Sequence, residues 1–256
     1  MKFMTLLSIE LAKIRRSKII LILFIAVVIL WIPSVANAHL NFKMSFAGIS
    51  PENNFLIQGL MGMAWFMFPA SMVVCTVLLA ETERGHNGII KMKSLPINLT
   101  TLCLAKFVVL LLLAASEMAL TMLTYFISAS IASHLQNYDF LLPVSFVLKE
   151  IFFLLLSAIP MLAVFWLLST CIQTPIFCVG TGLASIVPSI LLINTKIWFL
   201  YPMAYPFYVV ATEYAKLSTS MTESNLNFFL WLPIAISITL VSLWLSCRYF
   251  EQTERS

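Results

Sequence analysis

Six apolar runs, each close to the roughly 20 residues that carry a helix across a bilayer, leave this chain few folds to choose from. They cover residues 19–37, 55–80, 105–127, 147–170, 176–195 and 228–247. In hydrocarbon every backbone N–H and C=O must find a partner within the protein, so only helices or a closed barrel can span it. The runs are too long and too uniformly apolar for the alternating ten-residue strands of a barrel. The expectation is an all-α membrane protein with six transmembrane helices, residues 1–256 forming one membrane domain. A soluble domain is about 25% charged; this chain is 10% charged and 61% hydrophobic, which excludes an ordinary soluble globule.

The basic residues orient the helices, because cytoplasmic segments collect Lys and Arg. With the N-terminus inside, the inner segments hold Lys2, Lys13, Arg15, Arg16, Lys18, Arg84, Lys91, Lys93, Lys106, Arg248 and Arg255. The outer segments hold Lys43, Lys149, Lys196 and Lys216. Eleven against four of the 15 Lys and Arg places both termini in the cytoplasm. The net charge of +4 is then a matter of topology, and no basic face with interleaved aromatics suggests a nucleic acid. Ala36-Asn37-Ala38 resembles a signal-peptidase site, but the polar lead-in is long and contains Glu10, so the segment is expected to be retained.

One stretch fits neither lipid nor a domain. Glu81-Thr82-Glu83-Arg84-Gly85-His86-Asn87-Gly88 continues through Lys91, Lys93, Leu95-Pro96 and Asn98, a charged island between the second and third runs. Acids contribute little to orientation, so Glu81 and Glu83 call for another reason. A short helix bounded by turns at Gly85 and Gly88 would present mixed charge to a soluble partner. Ahead of the first run, Phe3, Leu6, Leu7 and Ile14 fall roughly on one helical face, with Lys2, Glu10 and Lys13 elsewhere, as in a helix lying at the membrane surface. Pro69, Pro160 and Pro188 are expected to bend spans two, four and five. The stretch 197–212 is apolar and aromatic but interrupted by Pro202 and Pro206, which suits a re-entrant hairpin better than a seventh span.

Few residues offer chemistry. No phosphate-binding G-x-x-x-x-G-K-[ST] occurs, nor a nucleophile with an evident base. Cys75, Cys103, Cys171, Cys178 and Cys247 form no C-x-x-C pair, so no metal is expected. Glu117 stands near the middle of span three, where an ionised carboxylate costs a few kcal/mol. It is read either as a polar element of a substrate path or subunit contact, or as a carboxyl bonded to a hydroxyl of a neighbouring helix. A membrane enzyme or assembly factor built on Glu117, and a secondary transporter, are the alternatives to a driven permease. Lys149 and Glu150, at the outer end of span four, are expected to be solvated.

Taken together, these features resemble the ABC-2-type permeases, membrane subunits of ATP-binding-cassette exporters. The resemblance rests on the amphipathic start through Glu10, Lys13, Arg15 and Arg16, on six spans, on the segment with Glu81, Glu83, Gly88, Leu95-Pro96 and Lys106, and on the proline-broken outer segment. The string Tyr201-Pro202-Met203-Ala204-Tyr205-Pro206 adds a similarity to permeases of lantibiotic and bacitracin immunity. The resemblance implies a multi-pass protein of the bacterial cell membrane, with an elbow helix at Glu10, Lys13, Arg15 and Arg16. It implies a coupling helix at Glu81, Glu83, Arg84, Gly85, His86, Gly88 and Lys91. It further implies a cytoplasmic ATPase carrying the ATP and magnesium, with no cofactor in this chain, and a second permease chain, identical or similar. The substrate would be an amphipathic peptide, passing Glu117, Phe66, Phe68 and Met72.

Overall fold

A computed structural model of the chain describes residues 3–17, 19–84, 98–218 and 228–255. Helix α1 (Phe3–Arg16) is followed by α2 (Ile19–Ala36), a 3-10 segment (Ala38–Ala47), α3 (Pro51–Gly62) and, after a π turn (Met63–Met67), α4 (Phe68–Arg84). Then come α5 (Leu99–Gln136), α6 (Val144–Cys171), α7 (Pro175–Ile186), the short α8 (Ser189–Leu192), α9 (Tyr205–Leu217) and α10 (Phe228–Arg255). Six helical stretches are long and apolar enough to cross a membrane: Ile19–Ala36, Pro51–Glu81, Leu99–Gln136, Val144–Cys171, Pro175–Leu192 and Leu230–Gln252. No strand occurs among the described residues. The all-α reading with six spans therefore holds.

The second, third and fourth spans bury half or more of their residues within the chain, whereas the first, fifth and sixth mostly face outward. Helix α6 is central and packs on α10, α5, α9 and α4. The apolar faces of α2, α7 and α10 are those a bilayer or another membrane chain would cover. Ile20, Leu21, Phe24, Ile29 and Ile32 on α2 are all exposed.

Proline explains the broken second span. Pro69 has no N–H to give the carbonyl four residues back, and its ring crowds that turn. Just ahead of it, the Phe68 N–H bonds to Met63 O, an i→i+5 contact, and the helix takes up the mismatch as a single π turn. Pro188 has a stronger effect: α7 stops at Ile186, and only the four-residue α8 follows. Pro160, by contrast, lies inside an unbroken and buried stretch of α6.

The segment before the last span folds back without spanning. Two 3-10 turns, Trp198–Leu200 and Pro202–Ala204, lead into α9, which packs on α6 and α3. Trp198 stacks on Tyr208 at 3.7 Å, and Tyr205 donates to Phe199 O. Burial pushes the Tyr205 hydroxyl up to about 12, so it stays a neutral donor at physiological pH.

At the end of the bundle away from α1, aromatic rings take over the packing. Trp31, Phe55 and Tyr125 lie with ring centroids 5.6–6.3 Å apart, and Phe140 sits 5.3 Å from Phe55. Such pairs add about 0.5–1.5 kcal/mol each beyond burial. The Tyr125 hydroxyl donates to Phe140 O at 3.1 Å and accepts from Leu142 N at 3.2 Å, holding the turn between α5 and α6. Asn137 begins that turn with φ 50°, in the left-handed region that asparagine tolerates. Next to it, Tyr138 donates to Glu52 at 2.5 Å, and that carboxylate pushes the phenol up to about 12.

Two glycines permit close helix approach. A Cβ on Gly59 would lie 2.5 Å from the Trp31 ring, and one on Gly182 would lie 2.6 Å from Val73. Overpacking of this kind costs about 1–3 kcal/mol. Gly59→Ala and Gly182→Ala are expected to lower the thermal unfolding midpoint in detergent. Gly180→Ala, with nothing within 4 Å of the added atom, is expected to leave it unchanged.

Candidate functional site

Helix α1 meets the bundle through three residues spaced four apart: Leu6, Glu10 and Ile14, all buried. That spacing puts them on one face. Glu10 therefore sits at the centre of the buried stripe, and its expected place among the polar positions outside the apolar face is corrected. It is 2% exposed, and its partner is Lys106 on α5, which is 0% exposed. Lys106 Nζ donates to Glu10 Oε2 at 3.0 Å and to Leu79 O on α4 at 3.1 Å. The other carboxylate oxygen accepts from Lys13 Nζ at 2.5 Å.

The arrangement ties together α1, the end of α4 and the beginning of α5. A lysine buried in a membrane protein is held by pairing with acids or carbonyls, and here one ammonium receives both. Around it, the same end of the bundle is stitched by smaller bonds. The Asn98 side chain caps α5 by accepting from Thr100 N at 3.0 Å, satisfying one of the orphan donors of a helix start. Thr100 in turn donates to Glu251 near the end of α10. Trp166 Nε1 lies 3.3 Å from Cys103 Sγ, linking α6 to α5.

The described ends of the charged island, in the last turn of α4 and at Asn98 before α5, adjoin this cluster. Glu81 lies in α4, which runs on through Glu83 and Arg84. Gly85, His86, Gly88 and Lys91 lie outside the described residues, and so does the short helix expected there. Leu79, whose carbonyl accepts from Lys106, is two residues before Glu81. Arg15 is exposed and Arg16 ends α1.

The other candidates fall elsewhere. Glu117 is fully buried, and both its oxygens lie against the Ser71 hydroxyl of α4, at 2.8 and 2.6 Å. Ser71 Oγ also lies 2.8 Å from Phe68 O, so one hydroxyl proton is offered three oxygens. The carboxyl faces protein, bonded across the α4–α5 contact. Phe68 and Met72 are fully buried in the chain's own core, which places them in packing and off any open path. Phe66, on the π turn beside Trp65, is 42% exposed. Lys149 is exposed as expected, but Glu150 is only 5% exposed. The helix begins at Val144 rather than at 147, so Glu150 lies in its second turn and is covered by α9 and α10.

Removing Glu10 would take the carboxylate partner from a buried ammonium that also donates to the Leu79 carbonyl. Breaking one side of a buried pair costs about 3–5 kcal/mol, while replacing both sides with apolar groups is often near neutral. Glu10→Ala is expected to lower thermal stability strongly, and Glu10→Leu with Lys106→Met to restore most of it. Lys13→Ala, at the partly exposed end of the cluster, should cost under about 1 kcal/mol. Unfolding midpoints of the purified variants check all three.

No curated protein and no solved structure matches the chain. The family model described as ABC-2 family transporter protein matches residues 6–191, well over half of the 256 residues. That match begins in α1 and runs through α7, so it includes Glu10, Lys106 and the segment between α4 and α5. The chain belongs to the ABC-2 transporter family, and is a membrane component of an ATP-binding-cassette transporter.

Proposed function

We propose that the chain is the permease subunit of an exporter that moves amphipathic or hydrophobic peptides out of the cell or its membrane. A separate cytoplasmic ATPase drives it, and a second permease chain completes the path. The observation that carries the reading is the Glu10–Lys106–Leu79 link. It joins the surface helix to the last turns of α4 and the first turns of α5, which are the two helices entering and leaving the charged island. A push on residues 81–93 is then felt at once by α1, α4 and α5.

The Lys and Arg distribution supports placing this end in the cytoplasm, where an ATPase with bound ATP and magnesium would dock. The outward faces of α2, α7 and α10 are suited to the second permease and to lipid. Phe66, with part of its ring exposed, has the access that a moving substrate requires. Glu117 serves as the contact across α4 and α5, where a change in helix spacing would be sensed. The similarity of the 201–206 string to permeases of peptide-antibiotic immunity supports an amphipathic peptide as the cargo.

Charge reversal at the island tests the coupling. Glu83→Lys and Arg84→Glu are expected to lower ATPase co-purification or ATP-driven peptide efflux by about tenfold or more, as loss of a charged docking contact would. Unchanged association together with unchanged efflux in both variants would overturn the proposal.

A further inference from the structure

A cavity of about 600 Å³ lies between the first half of α6, α9 and the first half of α10, at the end of the bundle away from α1. This volume is within the usual range for ligand sites. Its walls are apolar, from Leu156, Ile159 and Pro160 on α6 and Trp231, Ala235 and Ile236 on α10. One end is charged: Lys149 and Glu150 on α6 meet Glu213 and Lys216 on α9.

The charged end is neutral in sum but not satisfied. Lys216 Nζ lies 3.0 Å from Glu213 Oε2. Lys149 Nζ, 53% exposed, is shared between Glu150 Oε1 at 3.3 Å and Glu213 Oε1 at 3.9 Å. Beyond that ion pair, Glu150 Oε1 has no well-formed hydrogen bond among the described residues. A buried carboxylate oxygen whose nearest donor is an ammonium shared with a second acid is poorly satisfied, and Glu150 lines the cavity.

The walls identify the class of occupant. Phe153, Leu156, Leu232 and Ile236 line the cavity and are also exposed on the outer surface of the chain, so it opens sideways to the bilayer. Water has few partners on such walls, whereas an acyl chain is matched to them. At the charged end, a head group that brings N–H donors completes Glu150, and an anionic group on the same molecule balances Lys149 and Lys216.

We propose that this cavity holds one phospholipid of the ethanolamine class. Its acyl chain lies between α6 and α10, its ammonium donates to Glu150, and its phosphate rests between Lys149 and Lys216. Binding requires neither ATP nor the partner ATPase, so it stands apart from the transport reading.

Native mass spectrometry of the full-length chain, offered equal amounts of ethanolamine, choline and glycerol phospholipids with the same acyl chains, tests this. The ethanolamine lipid is expected to be retained about tenfold over the choline lipid, which has no N–H to donate. Glu150→Gln should remove that preference, and Leu232→Trp, at the cavity edge, should reduce retention of every lipid. Equal retention of the three lipids by the unaltered chain would overturn the proposal, as would a preference that survives Glu150→Gln. Retention unchanged in Leu232→Trp would place the lipid elsewhere and overturn it too. A cationic amphipathic peptide that displaces all three lipids from the unaltered chain, but not from Leu232→Trp, would replace it with a substrate site.

Discussion

A lysine with no exposed surface, placed in the third turn of a membrane helix, must be answered by an acid or the helix cannot sit there. Glu10 supplies that answer from outside the span, at the middle of the buried face of α1. The pair does more than cancel a charge. Leu79 O takes a second Lys106 proton, so the ammonium fixes the separation of α4 and α5 at the same point where it docks α1. Three elements distant in sequence thus share one atom, Lys106 Nζ. Hydrophobic contacts alone would hold α1 against the bundle but would let it slide, and the hydrogen bonds remove that freedom.

The architecture was largely legible because its cause is simple. Apolar runs near the thickness of a bilayer admit one structure, and the six spans lie close to where hydropathy puts them. Proline gave partial information. Pro69 is answered by a π turn and Pro188 by a helix end, yet Pro160 leaves α6 continuous, because packing on its neighbours decides how much a lost hydrogen bond matters.

The polar contacts were less legible, and for a physical reason. Glu10 reads as a surface residue by type, and only its four-residue spacing from Leu6 and Ile14 indicates burial. Lys106 reads as a topology marker, since nothing local reveals that an acid 96 positions earlier returns to meet it. Glu117 announced itself as a carboxyl within an apolar run, but Ser71 is one hydroxyl among many on the neighbouring span. Glu150 reads as a rim residue because it follows Lys149 at the start of an apolar run, and only the return of α9 and α10 over α6 buries it. Phe68 and Met72 illustrate a different ambiguity: aromatic and sulfur side chains look alike in sequence whether they line a path or fill a core.

Helix α5 carries the consequence of these separate anchors. Its 38 residues make a rod of about 57 Å at 1.5 Å per residue, well beyond the roughly 30 Å of hydrocarbon. Near one end it is gripped at Lys106. Near the other, the Tyr125 hydroxyl and the Tyr138–Glu52 bond hold it to the following turn and to the start of α3, and Glu117 meets Ser71 between them. A rod held at both ends and touched in the middle cannot be moved at one of these points alone. A sideways displacement of its α1 end has to be taken up at Glu117 and at the Tyr125 and Tyr138 contacts, without any bond within the helix having to change.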